Sequence, residues 1–87
     1  MFRVGIVGGG LAGLTAAYKL SLKGVTVNVF EREEDLGGLA GSFPLAGSFI
    51  ERYYHFICAN DHDILALCDE VGLGAEIRWK QAKTSFF

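Results

Sequence analysis

The sequence predicts an α/β fold organised around one strand–helix–strand crossover, and three stretches of it predict this. Phe2 to Val7 is a short, almost continuously apolar run, the pattern of a strand in a parallel sheet covered on both faces. It passes directly into Gly8-Gly9-Gly10 and then into good helix formers from Leu11 to Lys23. Val25, Val27 and Val29 next alternate with Thr26, Asn28 and Phe30, a second strand that ends at Glu31.

Each element has its own local reason. In the helix, Leu14, Ala17 and Tyr18 share a face, Lys19 and Lys23 lie toward the C-terminal end where the dipole favours cations, and Gly24 supplies the stop. Strand, helix and strand in so few residues make one right-handed crossover. A charged run follows, Arg32 to Asp35, and then a loop with a second glycine pair, Gly37-Gly38. Ser42 to Arg52 reads as two short extended segments around Ala46-Gly47, with Pro44 restricting the first to an edge or an irregular strand. Past the aromatic run Tyr53, Tyr54, His55, Phe56, either Asn60 or Asp61 caps a helix whose Ile64, Leu67, Cys68 and Val71 fall on one face. Gly72 and Gly74 end it, and Ile77 to Lys83 alternates weakly enough to predict one more strand.

Composition narrows the class. Half of the 87 residues are hydrophobic, 21% are charged and the net charge is −2, which fits a globular chain and gives no basic surface for a nucleic acid. A chain this short buries only about two-thirds of its unfolded surface, so an α/β unit of this size is marginal alone. Phe86-Phe87 reads as a cut rather than a natural end, which makes the chain the N-terminal piece of a longer protein. On that reading Phe56, Ile64, Leu67, Trp79 and Phe86 would leave an apolar patch, and the isolated piece would be marginally stable or self-associated. Cys58 and Cys68 sit among apolar residues with no secretory leader before them, the expectation being buried reduced thiols in a cytoplasmic protein. The apolar stretch Val4 to Leu22 is interrupted by glycines and Lys19, so stable membrane insertion is not expected.

Gly8-x-Gly10-x-x-Gly13 between a strand and a helix is the dinucleotide-binding fingerprint in its proper context. Gly8 permits the tight turn, Gly10 lets a pyrophosphate approach the backbone, and Gly13 lets helix and strand pack closely. The N–H groups of the first helical turn, Leu11, Ala12 and Gly13, face the phosphates with the positive end of the dipole behind them. Glu31, about twenty residues on at the end of the second strand, is placed to accept hydrogen bonds from both ribose hydroxyls and would repel a 2′-phosphate. This disfavours NADP without separating FAD from NAD.

Glu31-Arg32-x-x-x-Leu36-Gly37-Gly38 makes that separation, because here the chain resembles the flavin amine oxidases, protoporphyrinogen oxidases, phytoene desaturases and, more weakly, UDP-galactopyranose mutases. The resemblance is strong from Phe2 to about Ser42 and looser beyond. It implies a Rossmann-like βαβ FAD-binding unit at the N-terminus of a larger two-domain flavoprotein. Residues 1–42 would be the ADP-binding unit and its glycine-pair loop, and residues 43–87 the start of the region near flavin and substrate. Position by position, it implies Gly8, Gly10 and Gly13 at the pyrophosphate, Glu31 at the adenosine ribose, Arg32 at the adenine edge, and Gly37, Gly38 and Ser42 on the pyrophosphate and ribityl side. Many members carry an arginine directly after the glycine pair, where this chain has Leu39.

The resemblance further implies an FAD-dependent oxidoreductase that takes two electrons as hydride from a C–N or C–C unit of a small-molecule substrate, the piece alone being inactive. A redox-neutral isomerase of the mutase type and a non-catalytic dinucleotide-binding module stand as alternatives. The segment Ile50 to Asp61 is loosely similar to the histidine-containing stretch near the flavin in the mutases and amine oxidases, which leaves His55 two readings: a packed, hydrogen-bonded histidine or a residue beside flavin or substrate. His55, Cys58, His62 and Cys68 match no paired-ligand spacing, so no metal site is expected. Trp79 and the tyrosines read as packing residues.

Overall fold

The computed structural model describes residues 2–81 and 85, and it divides into two compact units, one ending at His55 and the other beginning at Phe56. The first unit opens with strand β1 (Arg3–Val7), helix α1 (Leu11–Leu22) and strand β2 (Thr26–Phe30), with β1 and β2 parallel. The register pairs Val4 with Val27 and Ile6 with Val29. These four residues are half-buried while their neighbours along each strand are exposed, the period-two pattern of a sheet covered on one face. Helix α1 packs against both strands, and its half-buried residues include Gly13, Leu14, Ala17 and Tyr18.

The expectation of a strand covered on both faces does not hold for β1 in this chain. Its sheet has two strands, and the opposite face carries Val7 and Phe30, 91% and 61% exposed. Among the described residues one helix lies on this sheet, which makes one layer of cover.

Helix α1 ends as the sequence foretold. Gly24 N–H donates to Ser21 C=O at 3.0 Å and Val25 N–H to Leu20 C=O at 3.2 Å, with Gly24 at φ +79°, which together make a Schellman cap. The two extended segments after the glycine pair form an antiparallel hairpin, β3 (Ser42–Leu45) and β4 (Ser48–Glu51), closed by Ala46 and Gly47. Both turn residues have positive φ, +51° and +81°, the geometry of a type I′ turn whose twist suits a two-residue hairpin loop. Pro44 lies in a two-stranded ribbon, where each strand has a free edge.

The second unit is built on helix α2 (His62–Glu70). Ile64, Leu67 and Cys68 are half-buried on one face as predicted, joined by Leu65, whereas Val71 is 46% exposed. Asp61 takes the N-cap position, but its carboxylate does not cap the helix: Oδ2 accepts from Cys58 N–H at 2.7 Å, tying down the preceding loop. A second Schellman cap, with Gly72 at φ +84° and Leu73 N–H on Cys68 C=O at 2.7 Å, ends α2. Residues 77–81 form no strand, and Ala82 and Lys83 lie outside the described residues. A short 3-10 turn at Gly74–Glu76 comes just before, and the weak alternation of Ile77 to Gln81 has no neighbouring strand to pair with among the described residues.

Among the described residues no hydrophobic side chain is fully buried. Of the residues expected to form an apolar patch, Phe56 and Trp79 are 65% and 55% exposed, Ile64 and Leu67 are half-buried, and Phe86 lies outside the described residues. No described helix is long and apolar enough to cross a membrane.

Candidate functional site

The site takes shape where β1 stops and α1 begins. Gly8 N–H donates to Phe30 C=O at 2.8 Å, so the chain turns only after this bond to the end of β2, and Gly8 turns it at φ +102°. Gly10 is the N-cap of α1 and has no side chain to satisfy the helix. The first intrahelical bond runs from Leu14 N–H to Gly10 C=O at 2.9 Å. By helix geometry, the N–H groups of Leu11, Ala12 and Gly13 have no acceptor within the helix, and the positive end of its dipole lies there. Leu11 and Ala12 are exposed.

The three fingerprint glycines meet different surroundings. A Cβ on Gly13 would run into the Gly8 carbonyl oxygen and sit 3.3 Å from Ile6 Cγ2, so this glycine is a packing requirement between helix, turn and strand. A Cβ on Gly10 would meet only Gly38 Cα, at an ordinary 3.8 Å. The backbone at Gly10 is therefore approachable, and the donor-rich helix end beside it suits a phosphate.

Glu31 lies just beyond β2 and is half-buried. Its Oε1 accepts from Gly9 N–H at 2.8 Å and its Oε2 from Glu33 N–H at 2.9 Å. The Glu33 N–H foremost, then the Gly9 N–H, holds the carboxyl below the usual glutamate range; desolvation opposes this, and Arg32 adds to it. Glu31 therefore clasps the glycine turn to the acidic loop, and an ionised carboxylate still has lone pairs for further donors. The Arg32 side chain is 93% exposed, with Nε 3.5 Å from Glu33 Oε1.

The second glycine pair is brought against the first glycine turn. Gly37 N–H donates to Gly9 C=O at 2.9 Å, and Gly10 and Gly37 form a parallel bridge. A Cβ on Gly38 would stand 3.0 Å from Gly10 Cα, so only a residue without a side chain fits there comfortably. Next to this junction is a cleft of about 350 Å³ whose lining includes Glu31, Arg32, Gly38, Leu39, Gly41, Ser42, Arg52 and Tyr53. A more open hollow of about 490 Å³ is only a dip around Asn60–Ile64 at the start of α2 and contains none of the predicted cofactor residues.

His55 is not packed away. Its side chain is 47% exposed, Nδ1 lies 2.8 Å from Tyr53 C=O and 3.4 Å from Glu51 Oε2, so both polar neighbours are local. Cys58 is exposed, against the expectation of a buried thiol, because among the described residues nothing covers the loop before α2; Cys68 is half-buried on the helix. No described residues gather as a group of three or more potential metal ligands.

Two residues that sequence reasoning passed over belong to this region. Gly9, the variable position of the fingerprint, is the buried residue of the turn, and a Cβ there would lie 2.5 Å from Leu36 Cδ2 and 3.3 Å from Glu31 Oε1. The uninterrupted run of three glycines was its signal. Arg52 lines the cleft, and its N–H donates to Gly41 C=O at 2.9 Å. Nothing in its local sequence links it to Gly41, which is brought near only by the hairpin.

Known proteins resemble this chain over most of its length. A family profile described as an NAD(P)-binding Rossmann-like domain matches residues 6–71. The chain is 36% identical over 81 residues to putrescine oxidase of Kocuria rosea, covering 93% of this chain and 17% of that protein. It is 37% identical over 71 residues to the mitochondrial protoporphyrinogen oxidase of Nicotiana tabacum, covering 82% of this chain and 14% of the relative. A solved putrescine oxidase structure, from a redesign of its cofactor binding, superposes with a TM-score of 0.73 at 30% identity over 82% of this chain and 16% of that one. The chain thus spans about a sixth of the length of these relatives. Its glycine turn, its crossover and these matches establish that the chain belongs to the NAD(P)-binding Rossmann-like domain family, within the group of amine oxidases, protoporphyrinogen oxidases and carotenoid desaturases.

Proposed function

We propose that this chain is the N-terminal part of the FAD-binding domain of an FAD-dependent oxidoreductase, and that residues 1–42 hold the ADP half of the cofactor. The observation that carries this is the junction at Gly10: an approachable backbone, a helix N-terminus without a side-chain cap, and a clasped carboxylate close by on Gly9. In this reading the N–H groups of Leu11, Ala12 and Gly13 donate to the pyrophosphate, whose charge the helix dipole favours. Gly8 and Gly13 keep the turn tight enough to present those donors. Glu31 accepts from the ribose hydroxyls with the lone pairs its backbone partners leave over, and its negative charge selects against a 2′-phosphate. Arg32 lies along the adenine edge, while Gly37, Gly38 and Ser42 line the path toward the ribityl chain.

FAD, when bound, supplies two-electron chemistry, taking hydride from a C–N or C–C unit of a small-molecule substrate. The names of the relatives, two of them oxidases of a polyamine and of a porphyrinogen, support oxidation over the mutase-type alternative. Residues 43–87 would begin the region near flavin and substrate, where His55 remains a candidate through its place in the aromatic run. Two free thiols, Cys58 and Cys68, accord with a reducing cytoplasmic setting.

The test is the visible absorption spectrum of the purified full-length protein, followed by anaerobic addition of primary amines, polyamines and porphyrinogens. An oxidised-flavin band that bleaches with one of these substrates is expected. A protein purified without flavin that fails to take up added FAD would overturn the reading, and bound flavin that no substrate reduces would leave the binding module in place of the oxidoreductase.

A further inference from the structure

We propose that Arg52 is a phosphate-contacting residue of the dinucleotide site, a role that rests on the cofactor reading above and adds to it a cation from outside the fingerprint.

A pyrophosphate carries two negative charges, and the glycine turn and the first turn of α1, residues 8–14, contain no basic side chain. Backbone N–H groups and a helix dipole supply only partial charge there. The cleft beside the turn has two cations, Arg32 and Arg52. Arg32 is already engaged with Glu33, whereas no ion pair holds Arg52 among the described residues.

The hairpin explains how Arg52 comes to be there. It follows β4, and its N–H is fixed to Gly41 C=O at 2.9 Å. A Cβ on Gly41 would lie 3.6 Å from Arg52 Cδ and Nε, so the side chain runs over the turn that starts at Gly38. Gly38 lines the same cleft and also stands against Gly10, so a dinucleotide leaving the helix end passes into a space that Arg52 borders. No carboxylate of the cleft pairs with Arg52 among the described residues. Glu31 accepts from two backbone N–H groups, Glu33 faces Arg32, and Asp35 lies outside ion-pair distance of Arg52. A guanidinium fork suits phosphate oxygens where an ammonium would act only as a point charge.

The experiment uses full-length protein and three probes, FAD, ADP and adenosine, the last having the ribose and adenine but no phosphate. Arg52→Ala should weaken FAD and ADP by about tenfold or more, the scale of a lost charge-assisted hydrogen bond, and leave adenosine unchanged. Arg52→Lys should recover part of the loss, and added salt should narrow the gap between wild type and Arg52→Ala. Should Arg52→Ala not fold, Arg52→Gln keeps the stem and a polar head and is held to the same comparison. Equal affinities of wild type and variant for ADP would overturn the proposal, as would parallel losses for ADP and adenosine, which would mark a structural role. Failure of wild-type protein to bind any of the three probes would instead overturn the cofactor reading itself.

Discussion

The two units of this chain are specified in different ways. In the first, segments distant in sequence are hydrogen-bonded to one another: Gly8 to Phe30, Gly9 to both Glu31 and Gly37, and Gly41 to Arg52. In the second, the bonds that shape α2 and its ends join near neighbours, such as Cys58 to Asp61 and Cys68 to Leu73. A site assembled from three segments depends on backbone that can approach backbone, so it uses glycines. A single helix depends on local signals, a loop tied down at one end and a Schellman cap at the other. Substitutions in the first unit should therefore disturb structure and binding over several segments, and those in the second should stay local.

Gly13→Val should have the largest effect. The added carbons would collide with the Gly8 carbonyl and crowd Ile6, separating α1 from β1 at a cost of about 3 kcal/mol or more. Thermal unfolding and flavin content of the full-length variant should both fall. If the variant unfolded like wild type, the close approach of turn and helix would not be the constraint described here.

Gly10→Val sharpens the comparison within the turn itself. Only Gly38 Cα lies near its Cβ position, so the fold should survive while a branched side chain occupies the approach to the helix end. Protein that is stable but free of flavin is the expected product. Stoichiometric flavin with an unshifted spectrum would contradict the site.

Glu31 provides a pH dependence. Its carboxyl is held below the usual glutamate value of 4.5, so ionised Glu31 favours the folded state above that value, and the contribution is lost as pH falls through the lowered native value. Glu31→Gln lacks this titration. The stability difference between wild type and Glu31→Gln should be flat near neutrality and shrink on acidification below about 4.5, with faster exchange of the Gly9 amide over the same range. A difference independent of pH would show that the clasp to Gly9 and Glu33 does not form. In titrations of the full-length protein at neutral pH, Glu31→Ala should also bind FAD more weakly.

The smallest effect should come from Gly72→Ala, in the second unit. An alanine at φ +84° costs about 1–2 kcal/mol, and the loss should appear as fraying of α2 with FAD binding unaltered. A substantial loss of FAD affinity would show that the effect does not stay local to α2.

Much of the fold was legible because its signals are short-range. The apolar run before Gly8, the helix formers up to Gly24 and the alternating valines each declare their element within a few residues, and the hairpin follows from a two-residue turn between extended segments. The expected last strand failed for the opposite reason: alternation makes a strand only where a neighbour offers a ladder, and residues 77–81 have none among the described residues. Cover on both faces of β1 failed likewise, since a run of apolar residues states what a strand can tolerate and not how many layers surround it. Of the two residues expected to cap α2, Asp61 holds the N-cap position and its carboxylate does not cap the helix but accepts from Cys58 N–H, a preference that composition does not reveal.

The crossover, the positions of the three fingerprint glycines and the acid at the end of β2 can be read from the residues alone, because each follows from the backbone freedom or side-chain period of a few consecutive residues. That Gly9 holds Glu31, that Gly38 lies against Gly10 and that Arg52 reaches the turn beginning at Gly38 became visible with the folded chain. Those relations depend on where the chain returns after β2 and after the hairpin. The return brings together backbone groups from separate segments, and no local propensity encodes which N–H will meet which oxygen.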